Sequence, residues 1–154
     1  MPYTITVDAT YGADADRVFE DALDFSEMQE AMKGLAVYEG LPDRAVQQGD
    51  TIYVDVTMFK ILKTRDHCMH VERLDRDARI VQSREHNKAI KRWDHTLSVQ
   101  PVDGGCLWRD RIVLDAGPTT CLTARFCQFV YARRHRLRKA RSIQKSIVRG
   151  EVTP

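Results

Sequence analysis

The chain has 154 residues, of which 43% are hydrophobic and 30% are charged, and its formal net charge is +2. These values are typical of a soluble globular protein with a sizeable core, so we expect a single domain over residues 1–154. No stretch approaches the apolar length that spans a bilayer, which excludes a membrane-spanning helix. The first residues lack a basic region followed by an apolar block, so a cytoplasmic protein is expected.

The cysteines are consistent with a reducing compartment. They show neither a C-x-x-C pair nor the spacing of a disulfide-rich domain, which predicts free thiols. The four residues concerned are Cys68, Cys106, Cys121 and Cys127.

Charge is distributed unevenly along the chain. Residues 1–50 hold eleven acidic and three basic residues, whereas residues 125–149 hold nine basic residues and no acidic one. Such a basic block can attract phosphates or an anionic membrane face. It can equally pair with the acidic first part of the chain, or solvate the end of a long helix, where cations complement the helix dipole. The sequence gives no strong indication of nucleic acid or membrane, and we expect a basic tail at about residues 141–154.

The first elements are one strand and two short helices. Apolar and polar residues alternate over residues 3–9, which predicts a half-buried strand. Asp14 is placed to cap a first helix. Ser26 and Gln29 form a capping box for a second helix, which ends near Met32.

Six further strands and one long helix are expected after these. The strands are predicted at residues 35–38, 52–58, 64–74, 79–86, 91–102 and 106–115. Most of the turns between them are short, which indicates hairpins and hence an antiparallel sheet. Gly117 and Pro118 stop the last strand, and a helix is predicted from Thr119 to about Lys145.

Three short segments make this order of elements more specific. They are ADRVF at residues 15–19, RWDHT at 92–96 leading through two glycines into WRD at 108–110, and FVYARRHRL at 129–137. With these segments in this order, the chain resembles the START/SRPBCC superfamily, which includes the major birch-pollen allergen and the polyketide cyclase-like proteins. The resemblance implies an α+β helix-grip fold. In that fold a seven-stranded antiparallel sheet wraps around a long C-terminal helix, two short helices lie between strands 1 and 2, and a cavity separates sheet and helix.

The alternation of side chains between the two faces of a strand supplies candidate residues for that cavity. In the sixth strand Trp93 and His95 share one face, and in the seventh strand Asp110 and Ile112 do so. If the more apolar faces turn toward the helix, His95 and Asp110 both point into the cavity region. The expected ligand-binding residues are Val54, Val56, Met58, Trp93, His95, Asp110, Ile112, Phe126, Phe129, Val130 and Arg133.

His95 and Asp110 are also the only candidates for catalysis. The carboxylate can fix the tautomer of the imidazole and raise its basicity, as in a proton-transfer pair. The simpler interpretation is that the two side chains satisfy each other structurally, because no nucleophile or metal set lies beside them. Catalytic residues are therefore not assigned, and the sequence leaves open whether the protein is an enzyme.

Three other polar features are ambiguous. Arg133 interrupts the apolar stripe of the last helix and can either reach an anionic group at one end of the cavity or snorkel to solvent. His67 and His70 point to opposite sides of their strand and no third ligand is evident, so neither a metal nor another cofactor is expected. In the fourth and fifth strands the pattern does not decide which face turns inward. In the fifth strand the two alternating sets are Gln82 and Arg84, or Ser83 and Glu85.

These observations lead to three functional hypotheses. The first is a protein that binds a small hydrophobic or aromatic ligand, lipid or polyketide-like, between sheet and helix. The resemblance implies a second, a polyketide cyclase, dehydratase or aromatase-like enzyme that uses the same cavity. The third is an interaction module whose basic helix docks on nucleic acid or an anionic membrane. The expected partner is a small hydrophobic molecule, with a homodimer as an open alternative.

Overall fold

The computed structural model describes the backbone of residues 1–148 and the side chains of residues 1–142. The strands are β1 (Tyr3–Tyr11), β2 (Ala36–Glu39), β3 (Thr51–Met58), β4 (Leu62–Asp75), β5 (Ile80–His86), β6 (Arg92–Val102) and β7 (Gly105–Asp115). The helices are α1 (Ala15–Leu23), α2 (Phe25–Ala31) and α3 (Thr120–Val148), with a short 3-10 turn (Gly117–Thr119) before α3. The predicted α+β helix-grip fold, with two short helices between β1 and β2, is confirmed.

The seven strands form one antiparallel sheet in the order β1-β7-β6-β5-β4-β3-β2. Consecutive strands from β2 to β7 are neighbours, as the predicted hairpins require, whereas β1 pairs with β7 over its whole length. An ion pair between Asp8 and Arg109, 2.8 Å apart, links β1 to β7 on the outer face. The inner-facing side chains of β7 therefore lie between those of β1 and those of β6.

Short acidic side chains determine where the two short helices begin. Asp14 caps α1 as predicted, and its carboxylate accepts a hydrogen bond from the backbone N–H of Arg17 at 3.1 Å. The N-cap of α2 is Asp24, so the predicted capping box that begins at Ser26 is wrong. The Asp24 carboxylate accepts from both the N–H and the hydroxyl of Ser26, each at 2.8 Å, and this places Ser26 inside the first turn.

Helix α3 begins at Thr120 and turns one face toward the sheet. The buried positions of that face recur at helical spacing. They are Thr120, Ala124, Cys127, Val130, Arg134, His135 and Arg138. Phe129, which is 46% exposed, and the exposed Arg133 lie off this face. Phe129 therefore does not line the interior as expected, because packing on β1 and β7 sets the rotation of the helix. The exposed position of Arg133 agrees with the alternative that its side chain snorkels to solvent.

Apolar side chains fill the interior in three groups. The largest lies beneath α1, a second joins α3 to β1 and β7, and a third joins α3 to β2 and β3. Helix α3 approaches β1 and β7 most closely and stays farther from the middle strands β4, β5 and β6. It is over these middle strands that the inner face of the sheet becomes polar.

Helix α3 is somewhat longer than predicted, since it extends to Val148. No helix in the described part of the chain is both long and apolar enough to cross a membrane. The predicted basic tail covers about residues 141–154. From residue 143 onward, its side chains lie outside the part of the chain that the structure describes.

Candidate functional site

The polar strip on the inner face consists of side chains from four adjacent strands. His67 lies on β4, Glu85 on β5, His95 on β6 and Asp110 on β7. The side chains of His67, Glu85 and His95 are 13%, 10% and 14% exposed, so solvent reaches them, whereas Asp110 is fully buried. The ambiguity in β5 is thereby resolved, since Glu85 is turned inward with the buried Ser83.

Asp110 is the centre of the first hydrogen-bonded group. Its Oδ1 lies 2.8 Å from Nε2 of His95, and its Oδ2 lies 3.1 Å from Nε2 of His135. Burial raises the pKa of the Asp110 carboxyl, but the hydrogen bonds from His135 and His95, with the positive charge of Arg134, outweigh burial. The net effect holds the pKa of Asp110 below its usual range. Asp110 is therefore a carboxylate that accepts from two imidazoles.

Tyr11 fixes the tautomer of His135. Its hydroxyl lies 2.7 Å from Nδ1 of His135, and burial raises the pKa of Tyr11 to about 12, so the hydroxyl keeps its proton and donates it. Burial also lowers the pKa of His135. The Nδ1 atom therefore accepts from Tyr11, and the Nε2–H donates to Asp110.

His67 has an equally defined tautomer. The side-chain oxygen of Asn87 accepts from the backbone N–H groups of Ala89 and Ile90, at 2.8 and 2.9 Å, so its NH₂ group points to Nδ1 of His67 at 3.0 Å. The Nε2–H of His67 then donates to Glu85 at 2.8 Å. Burial raises the pKa of Glu85, but the interactions with the imidazoles of His67 and His95 and the hydrogen bond with Ser83 outweigh burial and lower the pKa overall.

His95 differs from these two histidines. Its Nε2 donates to Asp110, while its Nδ1 has no hydrogen-bond partner among residues 1–142. The edge of its ring meets Tyr131, with ring centres 5.6 Å apart. Trp93, two residues before His95 on β6, has its ring centre 6.4 Å from that of Tyr131, and its buried indole N–H also has no partner in the described part of the chain. Among the described residues, the acceptor Nδ1 of His95 and the donor N–H of Trp93 therefore both lack a hydrogen-bond partner, and both rings lie beside Tyr131.

The other predicted site residues fall into different parts of the interior. Val56 and Met58 pack with Phe126 and Val130 in the group between α3 and β3. Ile112 packs with Trp93 in the group between α3 and β7. Val54 belongs to the group beneath α1. Ligand binding by these residues stays a prediction.

Sequence reasoning missed the buried polar residues of α3. Arg134 and His135 directly follow the exposed Arg133, and Arg138 lies one turn further on. Their spacing continues the buried face through Val130, and this regularity is a signal in the sequence that marks their burial. Arg141 forms ion pairs with α2, so part of the basic block pairs with the acidic first part of the chain, as one alternative predicted.

A second polar feature is a surface cleft of about 360 Å³ between α1 and the turn from β4 to β5. Its two arginines are already paired, Arg76 with Glu20 and Arg79 with Asp16 at 2.6 Å. Since these charges are matched, the cleft is a weaker candidate than the inner face. Within the described residues, no group of three or more His, Cys, Asp or Glu side chains is placed to hold a metal ion.

Comparisons with known proteins identify the fold. No protein-family model and no curated protein sequence matches the chain. Protein TTHA0849 from Thermus thermophilus is similar with a TM-score of 0.72 and 14% identity, covering 94% of this chain and 99% of that one. Ara h 8.0201 has a TM-score of 0.72 at 9% identity, with coverage of 94% and 99%. Protein CV1439 from Chromobacterium violaceum has a TM-score of 0.71 at 15% identity, with coverage of 89% and 94%. These similarities agree with the helix-grip fold that the resemblance implied. At identities this low, they support the assignment of the fold only.

Proposed function

We propose that this protein binds a small, largely aromatic molecule between the sheet and α3, and that His95 provides its main polar contact. The single observation that carries the proposal is the arrangement of the His95 ring. Asp110 orients the ring through Nε2, and Nδ1 meets no hydrogen-bond partner within residues 1–142. A ring nitrogen that is oriented, reachable by solvent and unused is available to a ligand hydroxyl or amide.

The neighbours of His95 favour a flat ligand. Tyr131 and Trp93 present aromatic surface on the side of the strip that faces α3, and the ring of His67 lies 6.4 Å from that of Trp93. Aromatic side chains contact other rings favourably in tilted and edge-to-face arrangements. A hydroxyl on such a ligand accepts from the Trp93 indole and donates to His95. This combination favours an aromatic, polyketide-like molecule over a simple acyl chain.

Binding of 2-naphthol, an uncharged fluorescent phenol, tests this proposal. We expect saturable binding to the wild-type protein, weakened about fivefold by His95→Phe and by Trp93→Phe, since each removes one hydrogen bond worth ~1 kcal/mol and keeps an aromatic ring. His86→Phe is the matched control, because His86 is exposed on the same sheet. Equal binding by all four proteins, or no saturable binding at all, contradicts the proposal. Native mass spectrometry of freshly purified protein gives an independent search for a bound molecule.

A second candidate function is proton-transfer catalysis in the same place. The observation that favours it is the hydrogen bond of 2.8 Å from Nε2 of His95 to the buried Asp110 carboxylate. An ionised carboxylate on one imidazole nitrogen orients the other nitrogen as a general base. Of the reactions that the resemblance implies, cyclisation and dehydration both need such a base. This candidate requires that His95→Phe abolishes turnover of an aromatic or polyketide-like substrate while Trp93→Phe retains turnover.

A further inference from the structure

We propose that the molecule bound between the sheet and α3 carries an anionic oxygen group, such as a carboxylate, and that Arg134, Arg138 and Trp108 bind this group. The inference rests on the proposed function, because it assigns the charge of the same ligand. It is carried by a set of buried donor groups on α3 and β7 that have no acceptor among the described side chains.

Both arginines are more deeply buried than arginine side chains normally are. Arg134 is 8% exposed and Arg138 is 6% exposed. Arginine is rarely buried to this degree without an acidic partner, since an unpaired charge in the interior is costly. Within residues 1–142, Nε of Arg134 and both Nε and Nη2 of Arg138 are buried and have no hydrogen-bond partner.

The two guanidinium groups lie beside the same indole ring. Cζ of Arg138 is 4.6 Å from the centre of the Trp108 ring, and Cζ of Arg134 is 5.7 Å from it. The Trp108 indole N–H is itself buried and lacks a partner in the described part of the chain. Guanidinium and indole N–H groups are donors only, so another donor cannot satisfy them. An oxyanion supplies acceptor oxygens and the opposite charge together.

The nearby carboxylates are already engaged by other groups. Both oxygens of Asp110 accept from imidazoles. On α2, Glu27 and Glu30 lie 3.2 and 3.6 Å from Arg141. Burial and the like charge of Arg134 lower the pKa of Arg138 to about 10, which still leaves its guanidinium charged at neutral pH. The two arginines therefore carry charge that no described acidic side chain pairs with directly.

Tyr131 connects this cluster to the rest of the proposed site. The centre of its ring lies 5.6 Å from that of His95 and 5.8 Å from Cζ of Arg134. A ligand that packs against the Tyr131 ring would therefore lie close to both His95 and Arg134. The inferred ligand class is a small aromatic acid that also carries a hydroxyl group.

A matched pair of probes tests this inference: 2-naphthol and 6-hydroxy-2-naphthoate, which differ by one carboxylate. We expect the wild-type protein to bind the carboxylate at least about tenfold more tightly, since a charge-assisted hydrogen bond contributes ~1.5–3 kcal/mol. Arg134→Met and Arg138→Met are each expected to remove most of this preference, so that the two probes bind these variants with similar affinity. The exposed Arg133→Met is the control and is expected to keep the preference.

The possible outcomes separate the two proposals. The anionic ligand is refuted if the wild-type protein binds both probes equally, or if Arg133→Met loses the preference as fully as Arg138→Met. In either case, saturable binding of 2-naphthol still supports the proposed function. If neither probe binds, the proposed function fails, and this inference fails with it. Thermal unfolding without ligand gives a second measurement. Arg138→Met removes an unpaired buried charge and is expected to raise the unfolding temperature, whereas a lower temperature would show that Arg138 is satisfied within the fold.

Discussion

Asp110→Asn replaces a fully buried carboxylate with an amide of nearly the same size. In the wild-type protein each oxygen of Asp110 accepts one hydrogen bond, 2.8 Å from Nε2 of His95 and 3.1 Å from Nε2 of His135. The amide keeps one acceptor oxygen and turns its NH₂ group toward the other imidazole. Because Tyr11 donates to Nδ1 of His135, that ring cannot move its proton without losing a second hydrogen bond. His95 has no such second hydrogen bond, so it can move its proton to Nδ1 and accept from the amide at Nε2. Both hydrogen bonds can therefore persist, but as bonds between neutral groups.

The expected cost follows from these two bonds. A hydrogen bond to a charged group contributes ~1.5–3 kcal/mol, and a neutral one contributes ~1 kcal/mol. Replacing two charged bonds with two neutral ones predicts that the free energy of unfolding falls by about 2 kcal/mol at pH 7. For a chain of this length that corresponds to a decrease of roughly 4–8 °C in the unfolding temperature. The protein still folds, because domains of this size have stabilities of ~5–15 kcal/mol.

Urea denaturation followed by tryptophan fluorescence measures this effect. The matched control is Asp8→Asn, the same chemical change at the ion pair with Arg109, where the two side chains are 41% and 51% exposed. Surface ion pairs contribute little, so the control is expected to lose less than ~1 kcal/mol. The reasoning is refuted if Asp110→Asn costs no more than Asp8→Asn, since the two imidazoles would then not depend on the buried carboxylate.

Three further outcomes are expected. Burial lowers the pKa of His135, so the imidazole takes up a proton at higher pH in the unfolded chain than in the folded protein. The stability that His135 contributes is therefore complete above its unfolded pKa of about 6.5 and is lost as the pH falls below that value. His135→Gln is expected to reduce this loss of stability, measured by urea titrations between pH 7 and 5. Ellman's reagent is expected to label only the exposed Cys121 in the native protein and all four thiols in urea; rapid labelling of more than one thiol in the native protein contradicts the burial of the others. Gly105→Ala places a Cβ atom 1.9 Å from the carbonyl oxygen of Tyr11, so an unfolding temperature within about 2 °C of wild type would contradict this close contact.

Alternation along the strands predicted much of the sheet. It predicted the seven strands to within a few residues and placed His95 and Asp110 on a common face, where they are hydrogen-bonded at 2.8 Å. Parity succeeds here because β6 and β7 carry clearly more apolar residues on one face than on the other. In β5 the two sets of residues are similarly polar, so only the structure shows that Glu85 faces inward with Ser83.

The rotation of α3 could not be predicted in the same way. Its apolar stripe weakens after Val130, and the next inward positions are the charged Arg134 and Arg138. A buried arginine is uncommon, so a run of basic residues is normally assigned to solvent. Continuing the stripe past Val130 predicts Arg133 near the interior, whereas packing against β1 and β7 turns its neighbour Arg134 inward.

The pairing of β1 with β7 also has a consequence for how the chain folds. Asp8 and Arg109 are 101 positions apart, and Tyr11 and His135, which bond across the interior, are 124 apart. At synthesis rates of about 5–20 residues per second, β1 is without its partner strand for roughly 5–20 s. Its unpaired edge can meanwhile pair with other chains, because a free strand edge is a template for aggregation. Folding is therefore expected to be slow, and the hydrogen bonds around Asp110 are expected to form among the last contacts. A chaperone that shields the edge of β1 during this time is expected to raise the yield of folded protein.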